Sequence, residues 1–200
     1  MNLSEFRHSA AEHSTARLVD VLGRTGLTPN ALTLTGCAMS MAASAVIAFD
    51  YLLVGGLLVL VSGAFDMFDG PLARAKGKAT KFGAILDSTC DRLGEAAVLL
   101  GILIVYINNG SIVEPILAYT TLVGSVLVSY VRARAEGLGI KCEVGIFTRA
   151  ERVILVALGL ILATWVDKAM VVILGLLTAL TFITVLQRLI HVRRKADLET

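Results

Sequence analysis

The fold of this chain depends on the stretch Asp66-Met-Phe-Asp69-Gly70-Pro-Leu-Ala73-Arg74 and, eight residues later, on Gly83-Ala-Ile-Leu-Asp87-Ser-Thr-Cys-Asp91. Its four carboxylates lie between long apolar runs, and 56% of the 200 residues are hydrophobic, above the roughly 45–50% of soluble domains. Ionisable groups inside membrane-length apolar helices are costly and usually serve a function. The stretch therefore predicts an integral membrane protein whose functional site contains these carboxylates.

Apolar runs of about 20 residues, the length that crosses the hydrocarbon core of a bilayer, occur six times. The predicted spans are 31–49, 51–73, 82–107, 112–137, 148–166 and 169–190. Strand-like alternation is absent, so we expect an all-α integral membrane fold with six transmembrane helices. Short connections and the lack of a repeat of 20–50 residues predict one domain over residues 1–200, with a juxtamembrane segment at 1–26 and a six-helix bundle at 27–192.

The positive charges predict the orientation of the chain. Of the 18 Lys and Arg residues, only Lys168 falls in a predicted outer connection, and the other 17 lie at the opposite ends of the spans. The positive-inside rule places both termini and the acidic motif at the cytoplasmic face of the cell membrane. The mixed apolar and charged segment from Phe6 to Leu22 predicts an amphipathic helix in the membrane interface, with a solvated helix as the alternative.

The spacing of the carboxylates predicts that they meet. Asp66 and Asp69 are three residues apart and Asp87 and Asp91 are four apart, so each pair shares one helix face. Asp66 lies 16 residues from the outer Asp50, and Asp91 lies 17 from Asn108, which places the pairs at similar depths of roughly 24 and 26 Å. Four adjacent carboxylates need compensation, and oxygen ligands favour Mg²⁺, Ca²⁺ or Mn²⁺. Two such ions would neutralise the carboxylates and clamp a pyrophosphate.

The residues between the carboxylate pairs suit a phosphate ligand. Gly70 lacks a Cβ and permits close approach of a ligand or a backbone. Pro71 removes an N–H and disfavours helical geometry at Gly70, so we expect the second span to bend or end there. Arg74 is then expected to reach back toward phosphate, whereas Gly83 has helix packing as its alternative role.

This motif resembles, residue for residue, the signature of the CDP-alcohol phosphotransferase family. The resemblance implies transfer of the phosphatidyl part of a CDP-linked lipid to an alcohol, with release of CMP. It implies that Asp66, Asp69, Asp87 and Asp91 bind two Mg²⁺ or Mn²⁺ ions, and that Asp91 is also the general base. It further implies a homodimer, and we expect no nucleic-acid partner.

The same resemblance implies which residues bind the nucleotide of the CDP-lipid. Within the motif they are Gly70, Ala73, Arg74 and Gly83. The segment Leu27-Thr-Pro-Asn30-Ala-Leu-Thr33 is similar to the family's start of the first span, and it adds Asn30 and Thr33. The alternative for this segment is an ordinary helix start.

Arginines outside the motif indicate what kind of acceptor alcohol the site binds. Arg132, Arg152 and Arg188 lie 18, 15 and 20 residues from the outer Glu114, Asp167 and Lys168, a depth of roughly 22–30 Å. They predict a cationic wall that suits an acceptor carrying its own phosphate. Arg134 points to a different face from Arg132, so only one of the two is expected in the site.

Within the family, the segments around Asp87–Arg92, Ser129–Glu136, Thr148–Arg152 and Gln187–Arg188 resemble the inositol-phosphate-using enzymes of actinobacteria and archaea. The resemblance implies that the acceptor phosphate is bound by Ser129, Arg132, Arg134, Arg152 and Arg188. CDP-diacylglycerol and inositol phosphate are therefore the expected substrates. Glycerol 3-phosphate and an archaeal ether lipid remain alternatives with the same chemistry, and a membrane cation carrier is a remote one.

Overall fold

A computed structural model of the chain describes residues 28–75, 77 and 80–199, and these ranges contain α-helices and no strand. The helices are α1 (Pro29–Ala48), α2 (Leu52–Ala75), α3 (Lys81–Asn108), α4 (Val113–Gly137), α5 (Arg149–Ala163) and α6 (Ala169–Glu199). Their boundaries lie within three residues of the predicted spans, except that α6 continues past residue 190. The all-α prediction is confirmed, whereas the predicted interfacial helix at Phe6–Leu22 lies outside the described residues.

Four of these helices, α1, α2, α4 and α6, are long and apolar enough to cross a membrane. The other two helices, α3 and α5, do not meet this description, each for its own reason. Helix α3 carries five charged residues, and α5 has only 15 residues, which extend about 22 Å against a hydrocarbon core of about 30 Å. The chain is therefore a multi-pass membrane protein by composition, but the predicted count of six transmembrane helices is not confirmed.

Threonine residues begin three of the helices. The hydroxyl of Thr28 accepts a hydrogen bond from the N–H of Ala31 at 3.2 Å, and Pro29 occupies the first helical position, where its missing N–H costs nothing. The hydroxyl of Thr80 accepts the N–H of Gly83 at 2.9 Å in the same way at α3. Thr148 and Glu151 form a capping box at α5. These caps fix where α1, α3 and α5 start.

Of the two expectations at Gly70, that the second span bends there or ends there, the ending is wrong. Helix α2 continues through Pro71 to Ala75. A proline inside a helix removes only one backbone hydrogen bond, to the carbonyl four residues earlier, and membrane helices tolerate this where neighbouring groups pack against them. Leu72, directly after Pro71, is fully buried, so tertiary packing holds this turn in helical form.

The chain divides into two compact units, and the first comprises the described parts of Met1–Met39 and Val61–Gly94. Leu32 of α1 and Leu72 of α2 form its small apolar core, against which Phe65 and Phe68 pack. The Ser62 hydroxyl donates to the carbonyl of Gly36 at 3.1 Å. This unit therefore holds the cytoplasmic-side halves of α1, α2 and α3, by the predicted orientation, and contains the whole acidic motif.

The second unit comprises Ser40–Leu60 and Glu95–Thr200. Its main core joins buried residues of the outer halves of α1, α2 and α3 with residues of α4, α5 and α6. Helix α6 packs against both α4 and α5. Small residues allow these helices to approach: a Cβ on Gly101 would lie 2.5 Å from the carbonyl oxygen of Ser44. Whether residues 1–200 form a single domain stays a prediction.

Gly124 of α4 offers a test of this packing. A Cβ there would lie 2.9 Å from Thr181 Cβ and closer still to its hydroxyl oxygen, and Thr181 is fully buried. Overpacking of this kind costs about 1–3 kcal/mol. We expect Gly124→Ala to lower the Tm of the detergent-solubilised protein by several degrees.

Gly175→Ala on α6 is the matched control, because among the described residues no atom lies within 4 Å of the added Cβ. Its Tm is expected to stay the same or rise, since alanine is the better helix former. Equal Tm values for the two variants would contradict the close packing of α4 on α6.

Candidate active site

The four carboxylates of the motif lie on two helices of the first unit. Asp66 and Asp69 are on α2, and Asp87 and Asp91 are on α3, so both pairs have the helical spacing that the sequence predicts. Asp66, Asp87 and Asp91 are each partly buried, and the side chain of Asp69 is not described. Partly buried carboxylates on apolar helices fit a site that is reached by a ligand from water.

Gly36 of α1 makes room for the first of these carboxylates. A Cβ on Gly36 would lie 2.5 Å from Asp66 Oδ1. The hydrogen bond from Ser62, one turn before Asp66 on α2, to the Gly36 carbonyl holds the two helices together at this point. Gly36 therefore contributes to the site through its missing side chain, a role that no motif in the sequence indicated.

A cavity of about 240 Å³ lies within the first unit. All six residues that the resemblance assigns to the nucleotide line it, together with Asp87; these six are Asn30, Thr33, Gly70, Ala73, Arg74 and Gly83. Pro29, Thr80 and Ala84 complete the lining and were missed from the sequence. The structure thus brings together residues that are up to 58 positions apart.

The cavity is formed where two helices begin. Pro29 and Asn30 belong to the first turn of α1, and Thr80, Gly83 and Ala84 to the cap and first turn of α3. Backbone N–H groups and the helix dipole make such N-termini favourable for phosphate and other anions. The cavity is therefore suited to the charged part of a nucleotide.

Gly70, Gly83 and Arg74 line the same cavity. A Cβ on Gly83 would lie 3.2 Å from Asn30 Oδ1 and 3.1 Å from Thr80 Oγ1, so a side chain there would crowd the polar groups of the lining. The Arg74 guanidinium reaches back along α2, because its Nη1 lies 3.7 Å from a Cβ built on Gly70. Arg74 is exposed and available to an incoming anion.

The donor set fits a hard divalent cation by its chemistry. The motif supplies only carboxylate oxygens, which suit Mg²⁺ and Mn²⁺. Among the described side chains, which do not include that of Asp69, no group of three or more His, Cys, Asp and Glu side chains is already gathered as a metal site. The assignment of Asp66, Asp69, Asp87 and Asp91 as metal ligands therefore stays a prediction that rests on donor type and spacing.

Arg152 and Glu95 form a buried ion pair in the second unit. Arg152 Nε lies 2.7 Å from Glu95 Oε1, and Arg152 Nη2 lies 3.0 Å from Oε2. The Arg152 side chain is 3% exposed and that of Glu95 is 11% exposed. Glu95 was missed from the sequence, although it lies one helical turn after Asp91 and continues the spacing of Asp87 and Asp91 along α3.

Arg188 is held by backbone carbonyls. Its Nε donates to the Val144 carbonyl at 3.0 Å, and its Nη1 donates to the carbonyl of Val128 on α4. The side chain is buried. The cationic wall of Arg132, Arg152 and Arg188 that the depth argument predicts stays a prediction.

The two arginines at the end of α4 are more exposed. Arg132 Nε pairs with Glu136 Oε1 at 2.8 Å, with 50% and 45% of the two side chains exposed, and such pairs contribute little stability. Arg134 is exposed in the last turn of α4, where a cation interacts favourably with the helix dipole. Ser129 is partly buried on the same helix. Acceptor binding stays a prediction for all five residues: Ser129, Arg132, Arg134, Arg152 and Arg188.

The loop between α4 and α5 is fastened to α6 by polar contacts. In addition to Arg188, Gln187 Oε1 accepts the N–H of Ile146 at 3.3 Å, and His191 Nε2 lies 3.2 Å from the Lys141 carbonyl oxygen. Gly145 has a φ of 137°, and a Cβ there would lie 2.8 Å from the Thr184 methyl. These contacts join the arginine of α6 to the segment that leads to Arg152.

Comparisons with known proteins identify the family of the chain. The family model of CDP-alcohol phosphatidyltransferases matches residues 26–189. The archaetidylinositol phosphate synthase of Methanothermobacter thermautotrophicus is 41% identical over 182 residues, which cover 88% of this chain and 89% of that protein. The phosphatidylinositol phosphate synthase of Mycobacteroides abscessus is 36% identical over 180 residues, which cover 88% and 82%.

Solved structures are similar over nearly the same length. The crystal structure of Mycobacterium tuberculosis phosphatidylinositol phosphate synthase with CDP-DAG bound matches with a TM-score of 0.82 at 35% identity, covering 89% of this chain and 92% of that one. The structure of the same enzyme with manganese and citrate matches with a TM-score of 0.81 at 35% identity, covering 89% and 88%.

Substitution of Gly36 tests whether metal binding is weakened while the folded structure is kept. An added Cβ meets the end of the Asp66 side chain at 2.5 Å, while its next neighbour, Phe65 Cβ, is at an ordinary 3.4 Å. The carboxylate must therefore move, but the helices need not. We expect Gly36→Ala to weaken Mn²⁺ binding by about tenfold or more in calorimetry, with a Tm close to that of the wild type.

Gly137→Ala is the control, because no described atom lies within 4 Å of the added Cβ at this position. Its Mn²⁺ affinity is expected to be unchanged. Wild-type Mn²⁺ affinity in Gly36→Ala would show that the position of Asp66 next to α1 does not matter to the metal.

Proposed function

Because the chain belongs to the CDP-alcohol phosphatidyltransferase family, we propose that it transfers the phosphatidyl group of CDP-diacylglycerol to a hydroxyl of inositol phosphate. The products are phosphatidylinositol phosphate and CMP. The observation that carries this proposal is the cavity at the N-termini of α1 and α3, which all six expected nucleotide residues and Asp87 line. Two relatives, at 41% and 36% identity, are named as synthases of inositol phosphate lipids. Their names support inositol phosphate over glycerol 3-phosphate as the acceptor.

The nucleotide part of the CDP-lipid occupies the cavity of the first unit. The N–H groups in the first turns of α1 and α3 receive its phosphates, and Arg74 adds a positive charge. Gly70 and Gly83 leave the space that the ligand needs. This arrangement fixes the phosphorus next to the lipid, and positioning is a large part of what phosphoryl transfer requires of a protein.

Asp91 is the general base of the proposed reaction. It accepts the proton of the acceptor hydroxyl, whose oxygen forms a bond to the phosphorus next to the lipid while the bond to the CMP oxygen breaks. The leaving CMP carries the electron pair of that bond. Asp66, Asp69, Asp87 and Asp91 would hold two Mg²⁺ or Mn²⁺ ions, which supply neutralisation of the pyrophosphate charge.

The arginines of the second unit bind the acceptor phosphate. Arg188 is held by neutral carbonyls and therefore keeps its positive charge for a ligand. Arg132 is half exposed and can exchange its carboxylate partner for a phosphate at small cost. Together with Arg152, and with Ser129 and Arg134 as further candidates, they select an acceptor that is already phosphorylated.

Three properties of the protein in the cell complete the proposal. The distribution of Lys and Arg supports both termini and the active site at the cytoplasmic face of the cell membrane. The family resemblance supports a homodimer. The archaeal relative at 41% identity favours an ether-linked CDP-lipid as a second candidate substrate, whereas the family match removes the case for a cation carrier.

The proposed function is tested by supplying the purified protein with Mn²⁺ or Mg²⁺, one CDP-lipid and one radiolabelled acceptor at a time. We expect CMP release and labelled lipid with inositol phosphate, and little with unphosphorylated inositol, because the arginines need a phosphate to bind. Ester-linked and ether-linked CDP-lipids are compared directly. Absence of CMP release with every acceptor would falsify the enzyme assignment, and turnover of glycerol 3-phosphate alone would refute the inositol phosphate assignment.

The role of Asp91 is tested by Asp91→Asn. Loss of a general base is expected to lower turnover by about 10²–10⁴-fold, while the amide oxygen preserves most of the Mn²⁺ and CMP affinity measured by calorimetry. Asp167→Asn, in the turn between α5 and α6, is the control and is expected to keep full turnover. If Asp91→Asn loses Mn²⁺ binding in proportion to turnover, Asp91 is chiefly a metal ligand.

A further inference from the structure

Helix α3 carries a third carboxylate on the face of the motif. Asp87, Asp91 and Glu95 are spaced four residues apart on one continuous helix, so they lie along the same side of it. Glu95 is 13 residues from Asn108, about 20 Å by helical rise, which is deeper in the apolar part of the helix than Asp91. A carboxylate at this depth is costly unless it has a specific partner.

Arg152 is that partner, and Glu95 accepts hydrogen bonds from only two of its nitrogens, Nε and Nη2. A guanidinium has five N–H donors in a rigid plane, and Glu95 accepts one from Nε and one from Nη2. The other three belong to Nη1 and Nη2, and two of these are parallel at the far end of the plane. Two parallel donors match the spacing of phosphate oxygens.

The pair also fixes the orientation of Arg152. Both side chains are nearly buried, and two short hydrogen bonds hold the guanidinium plane on Glu95. Arginine is flexible when exposed, so an anchored guanidinium loses less entropy when a ligand binds. By contrast, the carboxylate partner of Arg132 is 45% exposed and cannot impose one orientation on it.

We propose, on the basis of the function proposed above, that Glu95 is a positioning residue for the acceptor phosphate. It holds Arg152 by one edge so that the far end of the guanidinium receives the phosphate, and it acts through Arg152 without touching the acceptor. Because the pair is neutral overall, the net positive charge that attracts the acceptor comes mainly from Arg188, whose printed partners are neutral carbonyls. Arg152 contributes hydrogen-bond donors in a fixed orientation.

The test is Glu95→Gln, with KM for inositol phosphate, KM for CDP-diacylglycerol and kcat measured separately. The amide keeps the shape of the side chain but loses its charge and one of its two acceptor oxygens. We expect KM for inositol phosphate to rise about tenfold or more, and KM for the CDP-lipid to stay within about twofold. Equal rises in both KM values, or no rise in either, would overturn the proposal.

Glu143→Gln is the matched control, since Glu143 also pairs with a cation, Lys141, at 3.1 Å, but 64% of its side chain is exposed. It is expected to change neither KM. Arg152→Gln supplies the second half of a double-mutant cycle. If Glu95 acts through Arg152, adding Glu95→Gln to Arg152→Gln leaves KM for inositol phosphate unchanged, whereas additive effects would show direct contact with the acceptor.

The double variant also covers a failure of Glu95→Gln to fold, because it leaves no unpaired buried charge. Thermal unfolding of each variant identifies such a failure. In that case KM for inositol phosphate is compared between Arg152→Gln and the double variant, and this comparison alone tests whether Glu95 acts through Arg152. A wild-type protein that neither binds nor turns over inositol phosphate would refute the proposed function. A wild-type protein that does so, with Glu95→Gln unaffected, would refute only the positioning role.

Discussion

The structure depends on how charge is accommodated inside apolar helices. Asp66, Asp87 and Asp91 are partly buried on helices that are otherwise hydrophobic, and a charge there is stable only with a partner. Two buried arginines have different partners. Arg152 pairs with Glu95, and Arg188 donates to backbone carbonyls. The carboxylates of the motif have the chemistry for a divalent cation. The helices position these groups, and the groups in turn restrict which helices can be neighbours.

Much of the fold and of the nucleotide side could be predicted from the sequence. Hydrophobic runs set the helix boundaries to within three residues at eleven of twelve ends, because apolar length and polar connections determine them directly. The family resemblance also identified six of the ten residues that line the cavity, whereas Pro29, Thr80 and Ala84 were missed. Gly36 and Glu95 could not be predicted in this way. Their importance comes from contacts with residues 30 and 57 positions away, which no local pattern encodes, although the four-residue spacing of Glu95 from Asp91 was a usable signal.

The predictions that differed from the structure came from applying local rules without tertiary context. Pro71 is expected to end a helix that stands alone, yet buried Leu72 holds the next turn in place. The count of six membrane spans is not confirmed, because four of the described helices are long and apolar enough to cross a membrane. Helix α5 starts within one residue of the predicted span but ends three residues early, at Ala163.

The division of α3 between two compact units has an evolutionary consequence. Asp91 lies in the part of this helix that belongs to the first unit, which ends at Gly94, and Glu95 begins the part that belongs to the second. The residues proposed for the donor lipid and those proposed for the acceptor thus belong to separately packed parts of one polypeptide. Arg132, Arg152 and Arg188 all lie in the second unit. A lineage could therefore acquire a new polar headgroup by changes in the second unit, while the chemistry that cleaves the nucleotide stays under its own, independent selection.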